Sequence, residues 1–242
     1  MAEEDALLNG LAAAALERAE IPLNGDLRVL TLDCEVAFDR TVLLREPPAL
    51  VRRGLILAAQ TLGGQFSGEA LDQLVEGLLE DEKGSLTGRE GAVVATWEGH
   101  HLHLEDGLVD EPFRYPLVAP GETDSEVFGW TITVQTATGE NPVRPPRHLD
   151  VMVAARAAQG LHFRAMEAGD KMTPLGMDGH RLLSDMLSEA GLTPRARRRI
   201  PVICDLAGPI WVPGVAQSER TRVEGSEPAW RLTLAPLESP RA

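Results

Sequence analysis

Hydrophobic positions along the first 80 residues recur at helical spacing, and those after residue 90 alternate. Leu7, Leu11, Ala15 and Ala19 follow at four-residue intervals, which predicts a helix over Glu3–Glu20 with these side chains on one face. Ile21–Pro22–Leu23–Asn24–Gly25 ends it. Asp33 can cap a short helix running through Phe38. Pro47 and Pro48 suit the first turn of a helix that reaches about Gln60 and stops at Gly63–Gly64. Ser67 caps another, whose inward face is Leu71, Leu74, Val75, Leu78 and Leu79. The period then changes. Ala92–Trp97 and His101–Glu105 predict a hairpin turning at Glu98–Gly99–His100. Residues 109–129, rich in Pro, Gly and acids, read as a linker with short extended pieces. In Trp130–Thr136, Ile132 and Val134 alternate with Thr131, Thr133 and Gln135, a strand pattern. Residues 140–146 read as a loop. The last part predicts a strand at Leu161–Arg164, a loop, a helix over about Gly179–Ala190 and an arginine-rich turn. Strand candidates follow at Pro201–Asp205, Pro209–Val212, Glu219–Val223 and Trp230–Leu234.

Within that last part the motifs have an order of their own. Arg164 ends a strand; Gly169–Asp170 and Pro174–Leu175–Gly176–Met177 with Gly179 follow; then come Arg197 and Arg199, Ile200–Pro201 and Trp211–Val212–Pro213–Gly214. This succession resembles the C-terminal domain of bacterial tRNA(Ile)-lysidine synthetase. Upstream, Pro48–Ala49–Leu50–Val51–Arg52–Arg53 resembles a shorter segment of that family's middle, substrate-recognition domain. The resemblance implies an α+β chain: a helical domain with a β-hairpin at 1–106, an extended connection at 107–146, and a small mixed C-terminal domain of lysidine-synthetase type at 147–238. It implies the tRNA-binding part of an enzyme that ligates lysine to the wobble cytidine of a minor isoleucine tRNA using ATP. The site residues it implies are Arg164, Lys171, Arg181, Arg197, Arg199, Arg52 and Arg53. The expected partner is tRNA, with no membrane and no DNA, and a separate ATP-pyrophosphatase catalytic subunit is a second expected partner.

The catalytic chemistry is not written in these residues. The family's serine-glycine-glycine phosphate loop, S-G-G-x-D-S, does not occur; Gly63–Gly64 and Ser67–Gly68 follow a helix and lack the aspartate. The Gly169–Gly176 loop lacks the G-K-[S/T] ending of a nucleotide cradle. ATP and Mg are therefore expected only in a catalytic domain outside this sequence, and no lysidine synthesis is expected of this chain alone. His101 and His103 share one strand face without a third ligand at metal-site spacing, so a polar face is the reading.

Charge sharpens the picture. The net charge is −14, opposite to that of a dedicated nucleic-acid binder. Between Gly160 and Ile200, however, seven basic residues face five acidic ones, leaving sixteen basic and thirty-two acidic elsewhere. The positive island coincides with the motif. Leu182 and Ser184 stand where the family carries lysines, and Thr173 also replaces a basic residue, so any tRNA binding should be weak and salt-sensitive. The alternative reading is a truncated or repurposed protein-interaction module. Two distant cysteines, an acidic N-terminus and no run of 18 apolar residues lead to a cytoplasmic expectation.

Overall fold

The structure, a computed structural model, describes residues 2–25, 27, 34–107, 114–125, 130–138 and 149–237. Helices and antiparallel sheets are mixed along the chain, an α+β arrangement. Two compact units result: one of residues 1–23 and 31–109, the other of residues 24–30 and 110–242.

In the first unit, helix α1 (Ala2–Ala19) packs against α3 (Pro48–Thr61), and α4 (Gly68–Glu80) follows. These helices cover a sheet in the order β1 (Glu35–Asp39), β4 (His101–Asp106), β3 (Val93–Glu98) and β2 (Lys83–Thr87). Pro48 sits in the first turn of α3, and the Ser67 hydroxyl accepts from the Ala70 amide at 3.1 Å to cap α4. Leu55, Leu74, Leu78, Leu102 and Leu104 are fully buried between helices and sheet. The Trp97 indole lies against Gly84 and Gly77: a Cβ at those positions would come within 2.1 and 2.6 Å of its ring. Only glycine admits so large a ring at that distance from the backbone.

Three expectations for this unit need correction. Residues 35–39 are a strand, since they pair with β4 from Glu35↔Glu105 to Asp39↔His101; Asp33 lies outside the described residues. Asp39 is the cap, its carboxylate accepting from Thr41 and Val42 at the start of α2 (Arg40–Leu43). On α1 the buried stripe is Ala12, Ala15 and Ala19, small residues that allow close approach to α3, while Leu7 and Leu11 are exposed. Leu79 is exposed because the covered face of α4 is narrower than its aliphatic run.

The second unit holds two sheets and a ribbon. One sheet runs β6 (Gly121–Ser125), β7 (Trp130–Thr138), β15 (Pro228–Pro236) and β8 (Asp150–Ala154); the other runs β14 (Ala216–Gln217), β13 (Gly208–Val212), β12 (Val202–Asp205), β9 (His162–Arg164) and β5 (Arg114–Pro116). Strands β10 (Lys171–Met172) and β11 (Arg181–Leu182) form the ribbon. Helices α5 (Leu183–Glu189) and α6 (Pro194–Arg199) complete it. A single core joins them: Ile132, Val134 and Leu232 from one sheet, Phe163, Ile203 and Ile210 from the other, and Leu183 and Leu187 from α5. Asn24 and Leu27 belong here despite their place in the sequence. The Asn24 side chain accepts from the Thr193 amide at 2.9 Å, and Leu27 is buried against Gly214.

Here too some elements differ from expectation. The described residues of the expected connection at 107–146 include strands β5, β6 and β7, which pair within the second unit's sheets. The 140–146 loop lies outside the described residues. The helix expected over 179–190 is shorter, because Arg181 and Leu182 pair with β10 before it starts. The arginine-rich turn is the helix α6, capped by the Thr193 hydroxyl. Residues 219–221 form a 3-10 turn rather than a strand, fixed by ion pairs of Arg220 and Arg222.

Both cysteines are buried. Burial pushes the Cys204 thiol up to about 12. Native protein incubated with iodoacetamide at pH 8 should therefore gain no adduct, and denatured protein should gain two, as read by intact mass. A native adduct would mean that one of these cores opens readily.

Candidate nucleic-acid interface

The motif residues of the second unit first build a scaffold. Arg164, 9% exposed, leaves β9 and donates to both Asp170 carboxylate oxygens at 2.7 and 2.8 Å. Asp170 also accepts from the Glu167 amide at 2.8 Å, which closes the loop. This fork-to-fork pairing, with hydrogen bonding from Asp170 as the main cause, raises the Arg164 guanidinium further above its already high range. Further on, Glu219 accepts from the Gly176 amide at 2.6 Å and pairs with Arg222. Bonds from Arg222 and then Gly176 hold its carboxyl below the ordinary glutamate value of 4.5. A lowered folded value means that this tether is intact at neutral pH and fades as the pH falls below the glutamate range. The Pro174–Met177 turn is thus tied to the 219–222 turn, and Pro174 bridges to Ser218.

A groove of about 500 Å³ opens between the ribbon and the β12–β13 turn. Arg164 and Lys171 both line it, as do His180, Thr173, Ser218 and Arg220. Asp170 and Glu219 are its carboxylates, and both already accept from arginines within the unit. Arg220 is held by Asp205. Lys171 is exposed and makes no ion pair among the described residues.

The other expected site residues lie elsewhere. Arg181 sits on β11 opposite Met172 and pairs with Glu189. Arg197, half-buried on α6, donates from Nε to the Leu192 carbonyl at 2.8 Å; Arg199 is half-buried and Arg198 exposed on the same helix. Arg52 and Arg53 belong to the first unit. Arg52 pairs with Asp72, and Arg53 bonds Asn9 at 2.6 Å and Asp5 at 2.9 Å. The start of α5 is also occupied, since the Leu183 amide donates to the Asp170 carbonyl at 2.9 Å. That helix end is therefore a partly satisfied terminus rather than a set of free amides.

His180, Ser218 and Arg220 escaped the sequence reading. His180 directly precedes Arg181 and had a local signal in that adjacency. Arg220 reaches Asp205 fifteen residues away, a pairing that no local pattern announces. In the first unit, His103 bonds Glu35 at 2.8 Å, and no cluster of three metal-ligating side chains occurs among the described residues. No described helix is long and apolar enough to cross a membrane.

Comparison with known proteins bears on this geometry. The family model described as TilS substrate C-terminal domain matches residues 161–234, from the start of β9 into β15. The tRNA(Ile)-lysidine synthase of Symbiobacterium thermophilum is 28% identical over 96% of this chain and 50% of its own length. That of Geobacter sulfurreducens is 26% identical over 92% of this chain and 47% of its own. The chain therefore spans about half the length of these curated relatives. A solved structure, described as "Crystal structure of TILS C-terminal domain", aligns with TM-score 0.47 and 22% identity, over 53% of this chain and 100% of its own. Residues 161–234 are thus similar to the TilS substrate C-terminal domain, in a chain that resembles along nearly its whole length one half of a tRNA(Ile)-lysidine synthase.

Proposed function

We propose that this chain is the tRNA-binding part of a tRNA(Ile)-lysidine synthase, with binding concentrated in its second unit. The observation that carries this reading is a coincidence: the family match falls on the stretch where basic residues outnumber acidic ones in a chain of net charge −14. Neutralised RNA phosphates release counterions, so even a few cations can supply affinity, at the cost of strong salt dependence. Lysine ligation then falls to an ATP-using catalytic part, in the cytoplasm, either within a longer protein or as a separate subunit.

The expected behaviour is weak tRNA binding that drops as salt rises. Arg181→Ala with Arg197→Ala should weaken it further and reduce its salt slope by about 1 for each phosphate no longer neutralised. Arg181 is only partly covered, so that change should leave stability nearly as it was; Arg197 also ties Leu192, which makes a small loss of melting temperature acceptable. Filter binding of a minor isoleucine tRNA at two salt concentrations, paired with thermal melts, decides the matter. If binding is indifferent to salt and to both arginines while the fold weakens, the assignment is wrong.

A second reading is favoured by the first unit. Arg52 and Arg53, the cations that the family resemblance implies for RNA there, are taken up by Asp72, Asp5 and Asn9. An acidic helical unit with its arginines so engaged suits a protein-interaction role. Absence of tRNA binding at low salt would favour it.

A further inference from the structure

We infer that the groove between the ribbon and the β12–β13 turn takes a single nucleoside phosphate, its phosphate held between Lys171 and His180 and its base against Ala207 and Pro209. The inference deepens the RNA reading above, and rests on it where the nucleoside is an unpaired end of an RNA strand.

The size and the lining fit one nucleotide and not a duplex. About 500 Å³ lies within the roughly 300–1,000 Å³ span of small-ligand sites. A duplex is held by phosphate contacts spread over a broad basic surface, whereas this groove is lined by one lysine and by arginines already paired.

Electrostatics select the sign of the ligand. The carboxylates at the groove are already spent: Asp170 on Arg164 and the Glu167 amide, Glu219 on Arg222 and the Gly176 amide. Arg164 and Arg220 are spent in turn on Asp170 and Asp205. What remains uncommitted is donor capacity. Lys171 makes no ion pair among the described residues, and His180 bonds Thr173 through Nδ1 at 3.1 Å, which leaves Nε2 without a partner among them. The Ser218 hydroxyl lines the groove and makes no hydrogen bond among the described residues, so it is open to a ligand. An anion carrying further hydrogen-bonding groups can take up all three donors.

The opposite wall is suited to a base. Ala207 is exposed and Pro209 half-exposed at the β12–β13 turn, and Gly208 between them carries no side chain. A Cβ there would meet nothing within 4 Å, so the wall is open at that point. Apolar contact without an aromatic platform predicts modest affinity and little preference among bases.

The test uses the whole chain and adenosine 5′-monophosphate as probe, followed by amide-resolved NMR. Shifts should gather at residues 169–173, 180, 207–209 and 218–220. Lys171→Ala with His180→Ala should weaken binding about ten-fold, with an unchanged melting temperature because both side chains are exposed. Inorganic phosphate or adenosine alone binding as well as the nucleotide would overturn the inference, as would shifts elsewhere. An RNA hairpin with a single-stranded 3′ extension that binds about ten-fold tighter than its blunt form, in a manner lost with the double variant, would support the site and name an RNA end as its source. Equal binding of the two hairpins, with nucleotide in the groove, would support a free mononucleotide instead. Salt-sensitive tRNA binding with a silent groove would sink this inference and leave the RNA reading standing. Nucleotide in the groove without tRNA binding would do the reverse.

Discussion

Asp170→Ala should cost the second unit about 3–5 kcal/mol, because it removes one partner of a buried ion pair and strands the other. Arg164 has little access to water, and Asp170 is its bidentate partner. Without that carboxylate a guanidinium remains beneath the loop with only the Ala165 carbonyl and the exposed Glu167 to face it. The Glu167 amide loses its acceptor as well. For a domain with the usual 5–15 kcal/mol of stability, such a loss is a large share of the total. Denaturant unfolding followed through the tryptophans of this unit would measure it. The exposed pair Arg156–Glu227 is the control; breaking it should leave the unfolding midpoint nearly unchanged. Equal, small effects at both places would show that the loop is held by something other than this pair.

Phe163→Ala ranks beside it, with an expected loss of about 3–5 kcal/mol from the cavity left behind. Phe163 is fully buried on β9, stacks on Tyr115 at a centroid distance of 5.0 Å, and sits opposite Ile203 of β12. Strand β5 is only three residues long, and the Tyr115–Phe163 stack is an anchor for it. The chain has one tyrosine, so its ring resonances in an NMR spectrum report that anchor directly. Phe163→Leu keeps most of the volume and should recover most of the stability. A Tyr115 signal unchanged in Phe163→Ala would mean that β5 is held by its backbone bonds alone.

The sequence disclosed most where one local rule sufficed. Pro48 at a helix start, Ser67 as a cap and the alternation of Ile132 with Val134 each point to the observed element. It disclosed least where a neighbour decides. Periodicity groups Leu7, Leu11, Ala15 and Ala19 on one face of α1, but which part of that face is covered depends on its neighbours: Ala15 and Ala19 are buried and the two leucines are not. Glu35–Asp39 lacks a clean alternation because Ala37 and Phe38 are both buried, so β1 emerges only through its pairing with β4. For the site, Asp170 lies six residues from Arg164 in one loop, and that pairing was readable. The carboxylates that hold Arg52 and Arg53 come from other helices, and the groove draws on segments 164–180 and 207–220.

Gly214, the last residue of the Trp-Val-Pro-Gly motif, has φ +70, and a Cβ there would come within 2.3 Å of Leu27. The motif's glycine thus serves a side chain nearly two hundred residues earlier in the sequence. Recombination that transplants residues 161–234 as a cassette would leave this seat empty and the Thr193 amide without its acceptor. The heritable unit is therefore larger than the recognisable one: Asn24 and Leu27 must travel with the motif, and a graft that omits them should inherit its shape with a vacancy beside the glycine.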